Sequence, residues 1–198
     1  MTEKSSIEIL EEFAKRNSYR FYTHSSVYDH SLSTADRFTT TKFIVFDFTE
    51  ISKNLYFIFY DLHSTKAYSG STYCGLFKKI QKCNNEIRII KRDWVDVLRF
   101  KKRFLSSDSY IDKEVSIFTE NSSLDLSIVN SKNIRLFVDI NKRISPLEMV
   151  STRESWSIVP ELNGNDLVAI KTNFWEMDFE NLKYFIEKGC ELMKSIQS

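Results

Sequence analysis

Lys42-Phe-Ile-Val-Phe-Asp-Phe48 and Asn54-Leu-Tyr-Phe-Ile-Phe-Tyr60 are the most apolar stretches of the chain, and the short polar connector Glu50–Lys53 separates them. Each is strand-sized and rich in β-branched and aromatic residues, so the pair reads as a β-hairpin with a moderately long loop. Both are apolar on both faces. Strands of this kind are buried on both sides, which places them at the centre of a sheet, under helices on one face and under chain on the other. Asp47 interrupts the first strand, and its plainest reading is a solvent-facing position.

Upstream, Ser5 and Glu8 have the spacing of a capping box, and Ile7, Leu10, Phe13 and Ala14 share one side of a helix over residues 6–15. Asn17–Thr41 is polar, dotted with Tyr19, Phe21, Tyr22 and Tyr28, and reads as irregular chain packed on the body. Downstream, Tyr68–Ile80 reads as strand, with Gly70 and Gly75 marking bends or bulges. Cys83-Asn-Asn reads as a turn, and Glu86–Lys91 and Val115–Phe118 as strands. Ser131–Asn141 reads as helix, with Leu124–Val129 as an additional helical turn before it.

At the C-terminal end, Glu154–Val159 and Leu167–Lys171 flank Leu162-Asn-Gly-Asn-Asp166, whose Asn-Gly suits a tight hairpin turn. Asp178 then caps a last helix running to about Ile196. Gly189 lies inside it at a cost of about 1 kcal/mol relative to Ala, which suggests close packing at that point. Helices stand at both ends and in the middle, without strand–helix–strand alternation. The expected fold is therefore α+β, a mainly antiparallel sheet with helices packed on one face, including N- and C-terminal helices, in a single domain over residues 1–198.

Composition narrows the function. The 198 residues hold 16 Phe and 9 Tyr, an apolar supply sufficient for a full core. With 28 basic and 27 acidic residues the formal charge is +1, so no global field draws in nucleic acid or an anionic membrane. Cys74, Cys83 and Cys190 are too few and odd in number for a disulfide framework, which fits a reducing compartment. The N-terminus lacks the pattern of a secretory signal, and no apolar run approaches the ~20 residues of a membrane span. The expected location is cytoplasmic.

Three constellations carry candidate chemistry. The first is the basic stretch Arg88–Phe104, in which Arg88, Lys91, Arg92, Arg99, Lys101, Lys102 and Arg103 face only Asp93 and Asp96, a surplus of seven minus two, or five. Wound as a helix over Asp93–Leu105, it sets Trp94, Val97, Leu98, Phe104 and Leu105 on one face and Arg92, Arg99 and Arg103 on the other. The three arginines would make an anion-binding stripe for nucleic acid or phospholipid headgroups; the plainer reading is a solvated helix face. The second is metal binding by His24, His30, His63, Cys74 and Cys83, which lack the tight pairs that zinc sites use, so no metal is expected. The third is a Cys74–His63 dyad, the only nucleophilic pairing the sequence suggests; such a Cys is more often a small core residue. Phosphate-loop and dinucleotide fingerprints are missing, and no cofactor is expected. Trp156 and Trp175 flank the C-terminal hairpin and suit either a contact surface or the core.

The order running from Gly75-Leu-Phe77 through Ile111-Asp112 and Val115-Ser-Ile-Phe-Thr119 to the C-terminal hairpin and helix resembles uncharacterised bacterial domains of unknown function that often follow a transmembrane hairpin. The resemblance covers about the last two thirds of the chain. It implies a bacterial source and brings no catalytic residues, and this chain has no transmembrane hairpin. Together these readings point to a non-enzymatic binding protein of the bacterial cytoplasm with a protein partner. The alternatives are nucleic-acid or anionic-surface binding through residues 88–103, and an enzyme of unrecognised type.

Overall fold

The computed structural model describes residues 4–29, 38–65, 69–81, 86–93, 103–119, 128–153 and 158–196. Helix α1 (Ser6–Arg16) leads into β1 (Arg20–Asp29), β2 (Phe38–Asp47), β3 (Leu55–Ser64), β4 (Ser69–Lys79) and β5 (Ile87–Lys91). Then come α2 (Ser109–Glu114), β6 (Val115–Thr119), α3 (Ser131–Arg143), β7 (Glu148–Arg153), β8 (Asp166–Thr172) and α4 (Phe179–Ser195). The eight strands form one sheet in the order β1-β2-β3-β4-β8-β7-β5-β6, and every neighbouring pair is antiparallel. The fold is α+β, as expected.

The apolar hairpin is β2–β3, with Phe43 opposite Tyr60 and Phe46 opposite Phe57. Its two faces go to different cores. Phe46, Phe57 and Phe59 meet α1 and α4 on the helix face, where the Phe57 and Phe185 rings lie 5.2 Å apart. Val45, Tyr56 and Ile58 turn to the opposite face and are covered by Val159 and Leu162. The helices thus lie on one face and a short stretch of chain on the other.

Each helix begins on the cap its sequence supplies. Ser5 and Glu8 close the capping box, with the Glu8 N–H donating to Ser5 Oγ at 3.3 Å and the Ser5 N–H to Glu8 Oε2 at 2.7 Å. Asp108, Asn130 and Asp178 accept from the first turns of α2, α3 and α4. The far end of α4 is tied to the sheet by Lys78. This ammonium is only 2% exposed and donates to Met193 O at 2.9 Å and Ile196 O at 2.6 Å, completing carbonyls that a helix C-terminus leaves open. Burial pushes the Lys78 pKa down from its usual value.

Two glycines are set by close approach. A Cβ on Gly75 would lie 2.1 Å from Ile170 O, on the backbone of neighbouring β8, so β4 and β8 can meet here only without a side chain. The β3–β4 register runs without a break from Leu55↔Lys78 to Ser64↔Ser69, so neither Gly70 nor Gly75 makes a bulge. A Cβ on Gly189 would lie 2.2 Å from Leu76 Cδ1, which is the close helix–sheet packing expected of it.

Four local expectations change. Much of Asn17–Thr41 is strand: β1 pairs along its whole length with β2. All of β1 but the half-buried Phe21 is solvent-exposed, so no apolar alternation betrays it. The partner of β8 is Glu148–Arg153 instead of Glu154–Val159. Residues 154–157 lie outside the described residues, while Val159 and Leu162 are needed as the lid on the second face, with a 3₁₀ turn at Pro160–Leu162. Asn163 (φ −62°, ψ 130°) and Gly164 (φ +68°), with the Asn165 N–H donating to Leu162 O, have the pattern of a type II turn. Arg103–Leu105 is not helical: Phe104 bridges Ile117 of β6. The remainder of the basic helix, residues 94–102, and most of the expected turn at Leu124–Val129 lie outside the described residues.

Gly75→Val should destabilise the protein by more than 4 kcal/mol or prevent folding, because the new side chain meets backbone. Gly164→Ala meets open space and costs only its left-handed backbone, about 1–2 kcal/mol. Urea denaturation of the two variants compares them directly. Burial pushes the Tyr56 and Tyr184 phenols up to about 12, with Glu161 and Asp47 adding to the first and a 2.6 Å hydrogen bond to Asp139 adding to the second. The folded chain therefore holds these protons through the range where the unfolded chain loses them. Their contribution to stability is complete below pH ~10 and lost as pH rises through 12. Absorbance titration at 295 nm should show them ionising after the ordinary tyrosines.

Candidate functional site

The sheet's own register opens a notch in one end of it. β8 stops at Thr172, opposite Cys74 of β4. β7 begins at Glu148, opposite Ile90 of β5. The flanking strands continue further: β4 extends to Ser69 and β5 to Lys91. Over Ser69–Thr72, β4 is paired with β3 alone among the described strands. β4 and β5 are three interstrand spacings apart, so the gap is ~14 Å wide. It forms a cleft of about 590 Å³, with Ser71–Tyr73 on one wall, Ile90–Asp93 on the other, and Leu147, Thr172 and Asn173 toward the interior. The connection from α3 to β7 closes it from the helix side through Asn141 and Ser145–Pro146.

Among the described residues, Arg88, Lys91, Arg92 and Lys171 line the notch against Asp93 and Glu148, so four positive groups face two negative ones and two positive charges remain in surplus. Glu148 sits between Arg88 Nε at 2.8 Å and Lys171 Nζ at 3.5 Å, and the Lys171 ammonium lies 5.7 Å from the Tyr73 ring centre. Lys91 and Arg92 are exposed. Thr172 is only 2% exposed, and its hydroxyl has no hydrogen-bond partner among the described residues. An unmet buried hydroxyl costs about 1–3 kcal/mol. Asn141, equally buried, takes the Leu147 N–H on its Oδ1 at 2.9 Å.

The three arginines of the expected stripe fare differently. Arg92 lines the notch and also donates through Nη1 to Asp112 O at 3.1 Å. Arg103 donates to the same carbonyl and lies 3.8 Å from the Asp112 carboxylate, so it holds α2 against the sheet. Arg99 lies outside the described residues. Arg88 and Lys91 from the same basic stretch do reach the notch. Lys171 and Thr172 join them through strand pairing, and Asn141 through the end of α3, from distant parts of the chain that no local signal links.

Cys74 and His63 are not brought together. Both point to the helix face, but His63 is level with Gly70, four residues along β4 from Cys74, or ~13 Å. The Cys74 sulfur accepts the Glu176 N–H at 3.5 Å, and burial pushes its thiol up to about 12. No group of three His, Cys, Asp or Glu able to hold a metal occurs among the described residues. His30 and Cys83 lie outside them. Trp175 is a packing residue: its ring lies 5.6 Å from Phe59, and its Nε1 donates to Tyr60 O at 3.0 Å. Trp156 lies outside the described residues. No helix among the described residues is long and apolar enough to cross a membrane.

Comparisons with protein-family models, with curated proteins and with solved structures return no match to this chain.

Cys74 should resist iodoacetamide at pH 8 in the folded protein and react only once denaturant is added, since the thiolate is the reactive form. Peptide mass mapping measures this. Rapid native labelling of Cys74 would contradict the geometry described here.

Proposed function

We propose that this chain is a non-enzymatic binding protein of the bacterial cytoplasm, and that it holds an anionic group of its partner in the notch between β4 and β5. The notch itself carries the reading. It is concave, within the ~300–1,000 Å³ range of ligand sites, and has a few convergent polar groups. Its surplus of positive charge favours a negatively charged hydrogen-bond acceptor. Among its described lining residues there is no Cys or His, the groups whose own pKa suits acid–base or thiolate chemistry near neutral pH. Cys74 and Cys190 are both buried free thiols, in keeping with a reducing compartment.

The geometry favours the basic stretch as one wall of a cleft over its use as an exposed arginine stripe, because Arg92 and Arg103 converge on one carbonyl of α2. This weakens the nucleic-acid alternative.

Citrate and inorganic phosphate serve as bare anion probes. At low ionic strength, saturating probe should raise the midpoint of thermal unfolding, with a stabilisation of about 2.7 kcal/mol at one hundred times the Kd. The effect should fade as salt is added and vanish in the Lys91→Glu/Arg92→Glu double variant. A midpoint unmoved by either anion at low salt contradicts the proposal.

A further inference from the structure

The walls of the notch differ in kind. One carries charged side chains from β5. The other is a strand with a backbone edge that meets no strand among the described residues over Ser69–Thr72, in line with the path β8 would take if it continued beyond Thr172. The chain itself leaves that path: Phe174 and Trp175 turn away to pack on the helix-face core. A strand edge of this sort recruits another extended chain, since every second residue offers an N–H and a C=O outward.

We propose that the partner enters the notch as an extended acidic segment of a protein, lying beside Ser69–Thr72 in the lane that β8 vacates, with its carboxylates facing Lys91 and Arg92. This rests on the anion-binding reading above and specifies its ligand. Main-chain pairing along β4 supplies affinity, and the charges across the gap select acidic side chains. Thr172 and Asn173 stand at the inner end of the lane, where the incoming segment ends against β8.

A nucleic-acid strand fits less well. The open-face aromatics that lead up to the notch stack on each other, Tyr60 on Tyr73 at 5.1 Å and His24 on Phe43 at 5.2 Å. Each ring thereby gives one face to its neighbour, which reduces what is left for base stacking. Among the described residues the outer edge of β1 is another long exposed edge, but the notch combines an edge with a charge surplus.

A pool of fluorescein-labelled pentapeptides drawn from Asp, Glu, Val and Thr tests the proposal by fluorescence anisotropy at low salt. The acidic pool should bind at least tenfold more tightly than a matching pool built with Lys and Arg. Binding should drop at least tenfold in Lys91→Glu/Arg92→Glu, with Lys91→Glu alone used if the double variant loses its native circular dichroism. An N-methylated acidic pool, equal in charge but without backbone donors, should also bind at least tenfold more weakly, and hydrogen exchange should slow at Gly70–Thr72. If the N-methylated pool binds equally well, or if protection falls on Arg20–Asp29, strand addition in the notch is wrong. If citrate stabilises the protein but the acidic pool does not bind, the peptide ligand is wrong and the anion seat stands. If neither binds, both fall.

Discussion

The pairing of β4 with β8 is the joint on which the fold depends. β1 to β4 follow one another as a simple antiparallel meander, and β8, β7, β5 and β6 form a second set of four. A single strand interface joins the two sets. At that interface Gly75 lets β4 approach Ile170 and Lys171 more closely than any side chain would permit. The neighbouring β4 positions turn to the other face and receive α4: Leu76 fills the space left by Gly189, and Lys78 holds the last carbonyls of the helix. One strand thus fixes both the second half of the sheet and the helix that covers it.

The same joint creates the candidate site. β8 is seven residues long and β4 eleven, so their pairing leaves one end of β4 beyond the end of β8. The late start of β7 widens this step into a notch. Its strand-borne charges come from the second set alone, with Lys171 from β8, Glu148 from β7 and Arg88 and Lys91 from β5, while β4 supplies the uncharged wall. The cleft itself follows from strand lengths and register, closed on the helix side by the α3–β7 connection.

Where local chemistry decides, the sequence reads well. The Ser5–Glu8 capping box, the Asp178 cap and the Phe-rich pair around Phe46 and Phe57 can be read because periodicity and caps act within a few residues. β1 escapes such reading because all its residues but Phe21 are solvent-exposed, so burial imposes no pattern. The misplaced partner of β8 has a different cause: Val159 looks like strand because it is apolar, yet that apolarity serves a lid. With β7 misplaced, Glu148 could not be set beside Lys171, and the notch was out of reach. The basic stretch was visible as a run of charge, but the division between Arg103, which braces α2, and Lys91, which faces the gap, needs three dimensions.

The most direct measurement of the central claim is amide chemical-shift mapping of the ¹⁵N-labelled protein during a citrate titration at low salt. Saturable shifts should concentrate at Ser71–Tyr73, Lys91–Asp93 and Thr172–Asn173, the two walls and the inner end of the notch. Shifts scattered over the surface, or gathered elsewhere in the chain with these residues unmoved, would contradict a binding site built by the β4–β8 joint.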